Sequence, residues 1–158
     1  MTDCLFCSIV KGDVPSSKVY EDDKFIVVLD INPGAEGHLL LLTKEHHQVM
    51  PQIPDEITAQ MALITKKLSS LLLNVYKTKG VSIFAANGFV AGQKAPHFML
   101  HLIPRKETDD ISLNLTSDLE LSDEDIIELK NSLSSEHKEE VKQEGKANLD
   151  KIAGMFDK

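Results

Sequence analysis

Two imidazoles and a thioether alternate along Gly92-Gln93-Lys94-Ala95-Pro96-His97-Phe98-Met99-Leu100-His101-Leu102-Ile103-Pro104-Arg105. Alternate residues of a strand share a face, so His97, Met99 and His101 point one way and Phe98, Leu100 and Leu102 the other. The second set is core; the first lines a surface or pocket. An unprotonated imidazole nitrogen is a good nucleophile near neutral pH, whereas a thioether has no basic nitrogen and accepts hydrogen bonds weakly. The competing reading is two partly buried, hydrogen-bonded histidines. A second grouping, Cys4-Leu5-Phe6-Cys7, is a C-x-x-C pair. It reads as half of a tetrahedral zinc site, as a redox pair in a thioredoxin-like context, or as two ordinary buried thiols.

Strands and one long helix must position these groups. Lys18-Val19-Tyr20-Glu21 and Phe25-Ile26-Val27-Val28-Leu29 read as strands around the turn Asp22-Asp23. Asp30-Ile31-Asn32-Pro33-Gly34 is turn chemistry, and Gly37-His38-Leu39-Leu40-Leu41-Leu42 reads as a strand buried on both faces. Asp55 is placed to cap a helix running to about Lys77. Its buried stripe would be Ile57, Met61, Ile64, Leu68, Leu71, Leu72 and Val75. Val81 to Ala85 and His97 to Ile103 complete the strands. Short connections and one main helix predict an antiparallel α+β layer rather than a wound parallel sheet.

The whole chain has 158 residues, 42% of them hydrophobic and 27% charged, enough for one buried core, with or without an appendage. No apolar run approaches the ~20 residues of a bilayer span. Two cysteines are too few for a disulfide scaffold, and the opening Met1-Thr2-Asp3-Cys4 lacks the layout of a secretion signal; a cytoplasmic protein is expected. A net charge of −8 is a poor footprint for nucleic acid. Most of the acidity lies after Ser117. There Ser122-Asp123-Glu124-Asp125 reads as a helix start with Ile126, Ile127, Leu129 and Leu133 as its apolar face. From Ser134 to Lys158, sparse hydrophobes (Val141, Leu149, Ile152, Met155, Phe156) suggest a second amphipathic helix or a solvated tail, with His137 solvated.

The Gly-Gln-x-x-Pro-His segment ending in Ile-Pro-Arg resembles the signature of the histidine triad (HIT) family, His-x-His-x-His followed by two apolar residues. Further matches are Cys4/Cys7, Val19-Tyr20-Glu21-Asp22, Leu29-Asp30-Ile31-Asn32-Pro33, Gly37-His38 before an apolar strand, Lys44-x-His46, and Asn87 ahead of Gly92-Gln93. The resemblance spans residues 1–106 as a HIT domain and is silent on the acidic helical extension, 107–158. It implies a sheet of about five antiparallel strands with one long packed helix, in a homodimer that binds purine nucleotides. Relatives cleave α-phosphate bonds, as in diadenosine polyphosphate hydrolases, nucleoside phosphoramidases and nucleotidyl transferases. In them the middle histidine attacks phosphorus and is transiently nucleotidylated.

Here that middle position is Met99, which closes the covalent route; losing a nucleophile that acts within a unit costs several powers of ten. His101, the third position, would contact phosphate, and either His101 or His38 could orient water for a slow direct hydrolysis. The resemblance further implies that Asp30 accepts the ribose hydroxyls and that Phe6, Ile9 and Ile31 wall the base. Asn87 and His101 would donate to phosphate, with help from the backbone at Gly92 and Gln93. Lys94 stands where relatives often have a small hydroxyl or an acid. Zinc would be held by Cys4, Cys7, His46 and His97, with His47 as a substitute for His46. Three readings follow: a nucleotide-binding HIT protein with impaired chemistry, an active nucleotide hydrolase or its nucleophile-substituted form, and a zinc-stabilised partner-binding protein.

Overall fold

Four consecutive leucines, Leu39–Leu42, leave a strand no polar face to turn toward water, so both faces must be covered. They lie in β3 (Leu39–Thr43), every residue of which is buried. The computed structural model describes residues 4–112 and 122–144, with residues 135–144 by backbone alone. The first unit ends at Ser112 and the second begins at Leu113. In chain order the first holds α1 (Leu5–Lys11), β1 (Lys18–Glu21), β2 (Phe25–Leu29), β3, α2 (Asp55–Val75), β4 (Gly80–Phe84) and β5 (Met99–Arg105). The strands form one sheet in the order β1-β2-β3-β5-β4, each pair antiparallel.

Each face of the sheet has its own apolar layer. Phe25, Val27, Leu39, Leu41, Phe98 and Leu102 pack with Met61, Leu68 and Leu72 of α2. Ile26, Val28, Leu40 and Leu42 pack with Phe6, Ile9 and Val10 of α1, and with Met99. The period of two in the strands sorts these sets. β5 and the residue before it follow the expected alternation, with Phe98, Leu100 and Leu102 toward α2 and Met99 on the α1 side.

Four local differences from the sequence expectation have simple causes. The α2 stripe is Met61, Thr65, Leu68 and Leu72, while Leu71 and Val75 are exposed. Thr65 joins the stripe because its hydroxyl donates to the Met61 carbonyl at 2.8 Å, which removes the cost of burying it. The helix begins after Pro54 with no side-chain cap, so Asp55 and Glu56 act in its first turn, where the helix dipole favours negative charge. It ends at Val75, and Lys77 takes a left-handed φ of 49°. β5 continues through Pro104 to Arg105, past the last residue paired with β3; there Pro104 faces no partner on that side and its missing N–H costs nothing.

Arg105 then anchors the chain end of this unit. Its guanidinium donates to both Asp109 carboxylate oxygens at 2.8 and 2.5 Å, to Ser82 Oγ at 2.8 Å and to the Ile111 carbonyl. The Asp109 carboxyl is held far below the usual carboxylate range, first by the Arg105 hydrogen bonds and then by the Lys106 N–H.

The second unit contains α3 (Asp123–Glu144). Ser122 Oγ accepts the Asp125 N–H at 3.1 Å while an Asp125 oxygen accepts the Ser122 N–H at 3.1 Å, a reciprocal cap. α3 runs unbroken past Ser134, so the helix expected to start there is, as far as Glu144, its continuation. Leu149, Ile152, Met155 and Phe156 lie outside the described residues, as do the Val141 and His137 side chains. Ile127, Leu129 and Leu133 are exposed. No helix among the described residues is long and apolar enough to cross a membrane.

Candidate functional site

The strand register places Met99 opposite Leu42 and His101 opposite Leu40 on one side, with Phe84 opposite His101 on the other. On the sheet face shared with α1, Leu40, Phe84, Met99 and His101 form the floor of a cavity of about 480 Å³, a size suited to a small organic ligand. Phe6, Asp30, His38, Met99 and His101 line it, with Gly92, Gln93 and Lys94 at one side. His97 precedes β5 and is fully buried, but its ring still reaches the lining.

Two imidazoles are joined inside the cavity. His38 Nε2 and His101 Nδ1 are 3.0 Å apart, and the Gly34 N–H donates to His38 Nδ1 at 3.1 Å. Because that nitrogen accepts, a neutral His38 carries its proton on Nε2 and donates to His101 Nδ1. Neutral His101 then carries its own proton on Nε2, as an available donor. Burial lowers the affinity of both rings for a further proton. The neighbouring His38 lowers His101 further, and Asp30 opposes the shift at each ring. Asp30 Oδ2 lies 3.6 Å from His38 Nδ1, while Oδ1 accepts the Asn32 N–H at 2.9 Å. Asp30, His38 and His101 offer ligand atoms within 4.8 Å of one another. The facing His38 and His101 nitrogens already share a hydrogen bond, so their lone pairs do not converge on one point.

Behind the cavity lies a second cluster. Cys4, Cys7, His46 and His97 bring one sulfur or nitrogen each to within 4.8 Å of all the others. Cys7 Sγ is 3.1 Å from His46 Nδ1 and 3.7 Å from His97 Nδ1, and Cys4 Sγ is 3.6 Å from His97 Nδ1. Bonds of about 2.0–2.3 Å to a tetrahedral zinc would require edges of roughly 3.3–3.8 Å. His97 Nε2 donates to the Thr43 carbonyl at 2.9 Å, which leaves the Nδ1 lone pair facing the sulfurs. Burial pushes the Cys7 thiol up, and the adjacent Cys4 pushes it further. His47 stands apart, buried with Nε2 3.9 Å from a Glu45 oxygen, so His46 is the histidine that joins the cluster.

Of the residues expected around a nucleotide, Ile9, Ile31 and Asn87 lie outside this lining, and the Gln93 side chain has partners of its own. Ile9 packs in the apolar layer beneath α1 and Ile31 is 85% exposed; neither lines the cavity. Asn87 is also outside the lining and accepts the Met50 N–H at 2.8 Å. The Gln93 side chain turns into its own loop, donating to the Gln48 and Ala95 carbonyls at 2.6 and 2.9 Å and accepting the Gly88 N–H at 2.7 Å. Conversely, Phe84 lies in the lining with its ring 5.8 Å from that of His101. Pairing β4 with β5 as neighbouring antiparallel strands would have found it.

Comparison with known proteins interprets this arrangement. The HIT domain family pattern matches residues 11–108. The chain belongs to the HIT family. An adenosine 5'-monophosphoramidase of Candida albicans is 37% identical over 66% of this chain and 71% of its own length. A HIT family protein from Bacillus anthracis has the same fold, with a TM-score of 0.79 and 31% identity, covering 85% of this chain and 97% of that one. A zinc-bound histidine triad family protein from Mycobacterium smegmatis superposes with a TM-score of 0.66 and 33% identity, over 73% of this chain and 84% of that one. The HIT fold is therefore an antiparallel α+β layer here too, and the chain is related to nucleotide hydrolases.

Proposed function

We propose that this HIT protein binds a purine nucleotide in the 480 Å³ cavity and that its covalent nucleotidyl-transfer step is blocked at Met99. The observation carrying this reading is the position of Met99 on the strand face that also bears His101, in the cavity lining. A neutral imidazole there would form a phosphorus–nitrogen bond as the leaving group departs. The thioether has no nitrogen lone pair to give and no proton to lose. Asp30 accepts from the ribose hydroxyls and His101 Nε2–H donates to an α-phosphate oxygen, held in that tautomer by His38. Phe6 flanks the base.

Cys4, Cys7, His46 and His97 would hold zinc, whose role is to tie the N-terminal segment to the start of β5. The donor set and spacings suit it, and a reducing compartment such as the cytoplasm keeps both thiols available. The protein acts as a homodimer, supported by exposed Leu63, Leu71 and Val75 on α2 and by Ile83 and Phe84 on the edge strand β4.

The test compares the protein with Met99→His. AMP should saturate both in a calorimetric titration. Hydrolysis of adenosine 5'-phosphoramidate should be slow in the first and rise by about three powers of ten or more in the second. A nucleotidylated intermediate trapped on the unsubstituted chain, or turnover equal to that of Met99→His, would overturn the proposal.

A further inference from the structure

Phe6 stands between Cys4 and Cys7 in the chain, and it lines the nucleotide cavity. Its ring centroid lies 6.1 Å from that of His97, and His97 belongs both to the cysteine–histidine cluster and to the cavity lining. One wall of the ligand site is thus built on the segment that closes the metal cluster.

That segment is held lightly by everything else. α1 has seven residues, none of them fully buried, and a helix so short is marginal in water by itself. Phe6, Ile9 and Val10 pack partly buried against Ile26, Val28, Leu40 and Leu42. Among the described residues, the polar contacts that tie this segment to the strands and their loops are those of Cys4 and Cys7, with His46, His97 and the Pro96 carbonyl. The two thiols therefore decide how firmly Phe6 is kept at the ligand.

The thiols are also placed to react with each other. Cys4 immediately precedes α1 and Cys7 lies in its first turn, a spacing of three residues at which helical side chains are neighbours. Their sulfurs lie within 4.8 Å of one another, so small side-chain rotations suffice to close a disulfide. Cys4 is 4% exposed and Cys7 is only partly covered, so Cys7 meets an oxidant first.

We propose that Cys4 and Cys7 are a reversible oxidation site, and that closing their disulfide expels zinc and unlatches Phe6 from the nucleotide cavity. The co-reactant is a peroxide. The Cys7 thiolate attacks one peroxide oxygen, the O–O bond breaks, and a sulfenic acid and a hydroxide result. The Cys4 thiolate then attacks the Cys7 sulfur and displaces a second hydroxide. Two electrons have passed from the sulfurs to the peroxide, and two protons from solvent turn both hydroxides into water. His46 and His97 alone are too few ligands for a structural site, so the tie to β5 is lost. The inference rests on the zinc and nucleotide readings above and adds that nucleotide affinity follows the state of the thiols.

The experiment treats the zinc-loaded full chain with hydrogen peroxide and follows free thiols, zinc release to a chromogenic chelator, and AMP affinity by calorimetry. Both thiols should disappear as zinc is released, without a covalent dimer. AMP should then bind at least about fivefold more weakly, the lower range for losing an aromatic ring stacked on a base. Dithiothreitol with added zinc should restore all three readings. Methionine sulfoxide needs its own reductases, so this recovery assigns the effect to the cysteines rather than to Met99. Stripping zinc from the reduced chain should weaken AMP to the same extent. In Phe6→Ala, which starts with weaker AMP binding, peroxide should still release zinc but cause no further loss of affinity. The proposal is refuted if zinc stays bound after peroxide, if AMP affinity is unchanged once zinc has left, or if Phe6→Ala loses as much affinity on oxidation as the unsubstituted chain. A reduced chain that holds no zinc would instead refute the metal reading, and one that binds no AMP the nucleotide reading; both are seen before any oxidant is added.

Discussion

Gly37→Ala is the substitution whose consequence the geometry defines most sharply. Gly37 has φ = 81°, and a Cβ there would fall 2.3 Å from Tyr76 Cε2 and 2.4 Å from Cζ. Two costs add. Placing a residue with a side chain in the left-handed region costs about 1–2 kcal/mol, and overfilling a packed contact costs about 1–3 kcal/mol more. Tyr76 packs partly buried against the core on the α2 side, so swinging its ring away exchanges the clash for lost burial. The expected destabilisation is about 2–5 kcal/mol, read as a lower urea midpoint at unchanged slope. Because Gly37 precedes His38, the same change should displace the His38–His101 hydrogen bond and weaken AMP binding. Tyr76→Leu in the same chain removes the clash but keeps the backbone strain, so the double variant should recover about 1–3 kcal/mol relative to additivity. A cost below about 1 kcal/mol for Gly37→Ala, or strict additivity with Tyr76→Leu, would refute the reasoning.

Three other outcomes are expected. His38 and His101 both have pKa values lowered from 6.5, first by burial, so the unfolded chain binds more protons below that pH; stability should fall as pH drops through about 6.5 toward their folded values, and the loss should shrink in His38→Gln/His101→Gln. Cys7→Ser should abolish the roughly one zinc per chain expected by elemental analysis and lower the thermal midpoint, whereas metal-free protein of full stability would exclude a structural ion. Asp109→Asn should loosen the Arg105 clip and speed tryptic cleavage after Lys106, while AMP binding is retained.

Local pattern was informative wherever one residue's neighbours in the chain were also its neighbours in space. The alternation of Phe98, Leu100 and Leu102 with Met99 and His101 was readable because a strand repeats every two residues. The leucine run of β3 announced two covered faces for the same reason. Grouping Cys4 and Cys7 with His46 and His97, by contrast, was legible only through family resemblance, since no local spacing links residues about ninety positions apart.

What composition and period determined by themselves was the class of fold and the face of β5 that Met99 and His101 share; that Met99 stands at the position of the middle histidine was legible only through the family resemblance. Only tertiary structure decided that His38 donates to His101, that Phe84 rather than Ile9 or Ile31 reaches the cavity, and that Gln93 braces its own loop. Each of these depends on strand register or loop closure. Those are settled by how the sheet pairs and which buried polar groups find partners, a competition among distant parts of the chain that no local window contains.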